Sequence, residues 1–171
     1  MRLLAIISGE SFFIAQVSYR CLSVPVAFWW NVNIKPQAQI VIPTSVLGQI
    51  AALAMTETPL ECCGFLVGEL GSDIAQEFHA CRNIAESKII YTVDPKEHLR
   101  IERNAEDRGL AIIGVVHSHT HTEPYPSPTD VAQAPDPDWH YVIIGLKRVA
   151  PETRSYRIIN GEISESRIIP G

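Results

Sequence analysis

Apolar residues in this chain fall in short, separate runs whose spacing changes from helical to alternating and back. Val46, Leu47, Ile50, Leu53 and Ala54 share one face of a helix that Thr44 or Ser45 can cap and that ends before Pro59. Residues 62–70 read as a strand stopping at the turn Gly71-Ser72-Asp73, and residues 74–84 as its antiparallel partner. A second helix is predicted over residues 95–108. Asp94 is a good N-cap, Pro95 suits the first helical position, Glu97 sits where a capping box wants it, and Gly109 supplies a left-handed C-terminal cap. The almost wholly apolar residues 110–116 read as a strand buried on both faces, which runs directly into His117. Ser127-Pro128-Thr129-Asp130 has the form of another helix start, and residues 141–146 that of a further buried strand. Asn160-Gly161, between residues 156–159 and 163–169, marks a hairpin with a type I′ turn. This order of elements predicts an α/β domain with a single mixed sheet and helices packed on it.

Length and composition then narrow the picture. A chain of 171 residues can build one domain with a real core, but not two comfortable ones. The formal charge of -5 leaves no basic footprint, so nucleic acid is not expected as a partner. The cysteines, Cys21, Cys62, Cys63 and Cys81, form no Cys-x-x-Cys pair, and adjacent Cys62 and Cys63 face opposite ways on a strand. That argues against a thiolate metal site and a disulfide framework, and for a reducing, cytoplasmic setting.

The domain is expected to span residues 37–171, beginning near Ile40 after the polar, Pro-containing stretch 31–39. Residues 1–36 read as an N-terminal extension, either an upstream start or a loosely attached arm. Arg2 followed by the apolar residues 3–7 gives a weak signal-like alternative, but Glu10 interrupts the run and no Ala-x-Ala-like site follows. Glu10 and Arg20 also leave no apolar stretch of about 18 residues, so no membrane span is expected.

The chemistry concentrates at His117-Ser118-His119. Imidazoles at i and i+2 on a strand turn to one face, well placed to bind a single borderline cation such as zinc. Asp130, in the first turn of the next helix, can swing back as an anionic third ligand, leaving the fourth tetrahedral position for water. Glu61 is the candidate general base, and Ser127 a candidate hydroxyl donor to a tetrahedral oxyanion.

The string His117-Ser118-His119, seven residues, then Ser127-Pro128-Thr129-Asp130 resembles the signature His-x-His-x₇-Ser-x-x-Asp of the JAMM (MPN-plus) metallopeptidases. Glu61 before Cys62-Cys63-Gly64 is similar in position to the family's upstream glutamate. The resemblance runs from about Ile40 to the C-terminus and takes in Tyr91-x-x-Asp94 and Trp139-His140-Tyr141-Val142. It implies a layered, cytidine-deaminase-like fold with Zn2+ on His117, His119 and Asp130. It further implies Glu61 as acid/base, Ser127 as oxyanion stabiliser, and hydrolysis of peptide or isopeptide bonds beside the C-terminal glycines of ubiquitin-like proteins.

Thr120, where eukaryotic deubiquitinases of the family usually carry proline, and Glu123-Pro124-Tyr125-Pro126-Ser127 look like the compact bacterial branch. That branch includes the hydrolase releasing cysteine from a sulfur-carrier protein in cysteine biosynthesis, and members found beside other sulfur-transfer systems. The implied partner is a carrier with a C-terminal Gly-Gly tail, threaded as an extended strand. The oligomeric state stays open, a homodimer included.

Each residue also has a structural reading. Ser127 and Asp130 can simply start a helix, and Glu61, with Glu57 close by, can be merely solvated. His121 reads as a loop histidine or a neighbour of the metal, while His79, His98 and His140 read as structural. Cys62, Cys63 and Cys81 read as small buried residues. Glu123 and Tyr125 lie in the loop over the site, within reach of a substrate. Two rival functions are a non-catalytic scaffold of the same family and a non-haem Fe(II) enzyme, whose sites also use two His and a carboxylate.

Overall fold

The computed structural model describes residues 38–171. The N-terminal extension 1–36, its signal-like reading and Cys21 lie outside the described residues.

The elements follow the order β1 (Gln39–Ile42), α1 (Thr44–Glu57), β2 (Cys63–Glu69), β3 (Ala75–Cys81), α2 (Pro95–Glu106), β4 (Leu110–His119), α3 (Pro128–Ala132), β5 (His140–Gly145), β6 (Glu152–Ile159) and β7 (Glu162–Pro170). The strands make one seven-stranded sheet of order β1-β7-β6-β5-β4-β2-β3. Pairs β1–β7 and β4–β5 are parallel and the others antiparallel, so the sheet is mixed, as the sequence predicts. The sheet curls until its edges meet: the Val41 N–H donates to the Asp73 carbonyl at 2.8 Å, and Val41 bridges Ile74.

Burial on both faces follows from the apolar runs. Leu66, Val116, Val142 and Ile144 pack with Val46, Ile50 and Ala54 of α1. Their neighbours Phe65, Val115, Tyr141 and Ile143 pack on the opposite face with Ile101 and Ala105 of α2. Each large aliphatic side chain so buried contributes about 1.5–3 kcal/mol.

The local signals hold with instructive exceptions. Asp94 caps α2 by accepting from the Lys96 N–H at 2.8 Å. Glu97 does not close a capping box; it reaches across to the Arg82 N–H at 2.7 Å and ties the helix to the segment after β3. Helix α2 stops at Glu106, and Gly109 takes the left-handed φ of +72° just beyond it. Thr44 and Ser45 do not cap α1: Pro43 holds the N-cap position, and the Thr44 N–H and hydroxyl both donate to the Gly171 carbonyl at 3.1 Å. Strand β1 has only four residues, too few for a periodic signal, and its partner is β7. The hairpin Asn160-Gly161 has φ of +53° and +82°, as a type I′ turn requires.

One consequence positions the site. Strand β4 does not end before the histidines but continues, buried, through His119. It is parallel to β5 and antiparallel to β2, so the end of β4, the end of β5 and the start of β2 lie together.

Candidate functional site

His117 and His119 turn to the same side of β4, with their Nε2 atoms 3.1 Å apart. Asp130 reaches back from α3, placing Oδ1 3.5 Å from His117 Nε2 and Oδ2 3.5 Å from His119 Nε2. Ligands about 2.0–2.1 Å from a tetrahedral zinc ion stand roughly 3.3–3.4 Å apart. The two 3.5 Å distances run to different oxygens of Asp130, so the two nitrogens and the carboxylate together approach the spacing of ligands around one ion, and these residues fit a metal ion. They form a group that could hold one.

Each donor is positioned by its own local structure. His117 is fully buried beneath the ring of Tyr91, stacked at 4.3 Å and 19°. Nδ1 of His119 lies 3.0 Å from the Glu123 carbonyl and 3.0 Å from Thr122 Oγ1. A carbonyl only accepts, so in the neutral imidazole Nδ1 carries the proton and Nε2 keeps its lone pair for the shared point. Asp130 sits at the third position of α3 in a capping box. Its Oδ2 accepts from the Ser127 N–H at 2.7 Å, and Ser127 Oγ accepts from the Asp130 N–H at 3.2 Å. The structural and metal readings of Ser127 and Asp130 thus coexist, since the cap is what aims the carboxylate. Ser127 Oγ uses a lone pair there, which leaves its proton free to donate.

Electrostatics suit a cation. Burial disfavours ionised Asp130, but the two imidazoles and Ser127 outweigh it and hold the carboxyl well below its ordinary range. Burial pushes His117 down, against the pull of Asp130, and so favours the neutral ligand form. Burial also opposes protonation of His119, but Asp130, the Glu123 carbonyl and Glu61 together raise it.

Glu61 lies just before β2 and is 5% exposed. Its backbone is fixed on both sides: its N–H donates to the Ser87 carbonyl at 2.9 Å, and its carbonyl accepts from Asn83 Nδ2 at 2.9 Å. Burial, with a smaller contribution from Asp130, pushes its carboxyl up to about 7 against the opposing pull of His119. A carboxyl so tuned can take and return a proton near neutrality.

The remaining sequence candidates separate. His121 and Glu123 are exposed outside the cluster, and Tyr125 is exposed and packs edge-on to Tyr156. His140 is buried with Nε2 2.8 Å from Asp73 Oδ1, His98 packs on Phe65 and Trp139, and His79 pairs with Glu77. Cys62, Cys63 and Cys81 are buried and unpaired. Four contributors carried no local signal. Tyr91 and Asn83 come from the segment after β3, Ser118 bonds Cys62, and the Glu123 carbonyl acts through its backbone. Tyr91, Ser118 and Glu123 stand in stretches that carry the family resemblance, whereas Asn83 does not.

Residues 43–159 match the family model described as prokaryotic homologs of the JAB domain. The chain is 37% identical over 130 residues to a protein of Mycobacterium tuberculosis named CysO-cysteine peptidase, covering 75% of this chain and 89% of that one. It is 32% identical over 79 residues to a Pyrococcus furiosus protein named desampylase, covering 46% of this chain and 54% of that one. A solution structure of a Desulfitobacterium hafniense protein superposes with a TM-score of 0.71 at 28% identity, covering 78% of this chain and 93% of that one. One from Salinibacter ruber does so with a TM-score of 0.60 at 26% identity, covering 77% and 92%. Sheet topology, motif and comparisons agree: the chain belongs to the prokaryotic branch of the JAB/MPN domain family.

Proposed function

We propose that this chain is a zinc metallopeptidase. It hydrolyses a peptide or isopeptide bond at the C-terminal Gly-Gly of a ubiquitin-like or sulfur-carrier protein, with release of a C-terminal cysteine as the case to test first. The observation that carries the reading is the convergence of two imidazole nitrogens and one carboxylate within 3.1–3.5 Å of one another. The names of the Mycobacterium and Pyrococcus relatives support the substrate class.

In this reading His117, His119 and Asp130 hold the ion. A bound zinc supplies a Lewis acid for the scissile carbonyl and lowers the pKa of a water to about 7. Glu61 takes the proton of the attacking water and delivers it to the leaving amine, a relay its raised pKa suits. Ser127 turns its free hydroxyl proton toward the developing oxyanion. The relation between strand and helix favours zinc over non-haem iron. Asp130 comes from a capped helix, whereas facial-triad sites usually draw their ligands from strands of a β-barrel.

The test is incubation of the zinc-loaded protein with a carrier ending in Gly-Gly-Cys, followed by intact-mass spectrometry. The expected result is loss of one cysteine residue per carrier, abolished by a chelator and restored by zinc. An unchanged carrier mass with stoichiometric zinc bound would remove this substrate class.

A further inference from the structure

We propose that Tyr156 and Gly145, remote in sequence from the motif, are positioning residues. They seat Pro124 so that the Glu123 carbonyl stays locked on His119 Nδ1. The inference rests on the metal-binding reading of the site and names what keeps one imidazole in its ligand form.

Glu123 needs such help. It sits in an exposed loop; among the described residues its carboxylate pairs with Lys147 at 3.2 Å and Arg148 at 3.3 Å, and its carbonyl also accepts from the Tyr125 N–H at 2.8 Å, a bond local to the same loop. Ion pairs this open to solvent are worth roughly 0–1 kcal/mol and do not fix a backbone. Yet the Glu123 carbonyl accepts from His119 Nδ1 at 3.0 Å and so sets which nitrogen faces the cluster.

Fixation comes through the next residue. The Glu123 carbonyl and the Pro124 nitrogen belong to one planar peptide unit, so holding the Pro124 ring holds the plane of that carbonyl. Two contacts do this. The buried Tyr156 hydroxyl donates to the Pro124 carbonyl at 2.6 Å. The ring itself rests on Gly145, where an added Cβ would stand 2.8 Å from Pro124 Cδ and 3.2 Å from its nitrogen. Gly145 is also the ladder partner of His119, and the Leu146 N–H donates to the His119 carbonyl at 2.9 Å. The end of β5 therefore grips His119 from its backbone and, through Pro124, from its ring.

The test compares wild type with Tyr156→Phe, which keeps the ring, with Gly145→Ala, which displaces Pro124, and with a Lys147→Ala/Arg148→Ala double variant. In the metal-free proteins, at a pH high enough for the His119 ring to be neutral, its ¹⁵N chemical shifts report the tautomer directly. Zinc affinity is measured by competition with a chelator, and thermal melting confirms folding. Substitutions behind a metal-bound imidazole typically cost about 10–100-fold in affinity. Tyr156→Phe is expected to weaken zinc by about tenfold and Gly145→Ala by more. Both should mix the His119 tautomers, and the double variant should stay within about twofold of wild type. Folded Tyr156→Phe with an unmixed tautomer and unchanged affinity would overturn the inference. So would a double variant that alone reproduces the loss, because the surface ion pairs would then hold the loop. Wild type that binds no zinc would sink the metal-binding reading instead, while the tautomer measurement would still judge the Tyr156 contact.

Discussion

Ser118 and Cys62 exchange two hydrogen bonds: the Cys62 N–H donates to Ser118 Oγ at 2.8 Å, and the Ser118 N–H donates to the Cys62 carbonyl at 3.1 Å. Both residues are buried, and each neighbours a member of the site, Ser118 between the two imidazoles and Cys62 beside Glu61. The exchange extends the β2–β4 pairing past its last register pair, Cys63 with His117. It ties the strand end that carries Glu61 to the strand that carries the histidines.

Ser118→Ala should therefore act on stability and chemistry together. It strands a buried N–H, which costs about 1–3 kcal/mol. Thermal melting should show the loss, and turnover should fall further than the stability change explains, because Glu61 is released. A variant as stable and active as wild type would show that the exchange does not position Glu61.

Glu61→Gln should leave zinc bound and lower turnover by about 10²–10⁴-fold, the usual contribution of general acid–base catalysis. Metal analysis and single-turnover kinetics check both halves.

The same substitution has a pH signature in the metal-free protein. The fold raises the Glu61 pKa from 4.5 to about 7, so the unfolded chain releases this proton first as pH rises. Stability is thus unaffected by this group below pH 4.5 and falls as pH rises through 4.5 to 7. The loss is on the order of 3 kcal/mol, from roughly 2.5 pH units at about 1.36 kcal/mol each. Glu61→Gln should melt higher than wild type at pH 8 and equal it at pH 4. An equal melting temperature at both pH values would mean that burial does not raise Glu61.

Ser127→Ala separates the two roles of that hydroxyl. Loss of the cap should cost about 1 kcal/mol, while loss of an oxyanion donor should cost roughly 10²–10³ in rate. If activity fell only as far as stability and zinc occupancy did, the serine would be a cap alone.

His140 supplies a pH dependence far from the site. Burial holds it below its ordinary value, with Asp73 pulling the other way. The unfolded chain therefore takes up the proton first. Stability from this group is complete above about pH 6.5 and declines as pH falls below it. His140→Gln should flatten the melting temperature between pH 7.5 and 5.5 relative to wild type, measured by calorimetry.

The legible part of this protein lay in local patterns. Ser127-Pro128-Thr129-Asp130 announces a capped helix from four residues, and Asn160-Gly161 announces a turn from two. Residues 110–116 announce a strand buried on both faces. His117, His119 and Asp130 were legible as a candidate set because one strand turns both imidazoles to one face and one helix start aims the carboxylate. What escaped depended on partners distant in sequence. Strand β1 exists by pairing with β7, and Gly171 takes the capping role expected of Thr44 or Ser45. Glu97 left its expected partner for Arg82, a choice made by the approach of β3 to α2. Tyr156 and Gly145 reach the site only because β5 and β6 fold back beside the loop.

The most direct test of the metal-site reading is zinc content per chain in purified wild type and in His117→Ala, His119→Ala and Asp130→Ala, each checked for folding. One zinc per wild-type chain, with loss of tight binding in every folded variant, is the expected result. Wild type that holds no stoichiometric zinc, or folded variants that keep it, would contradict the assignment of these three side chains.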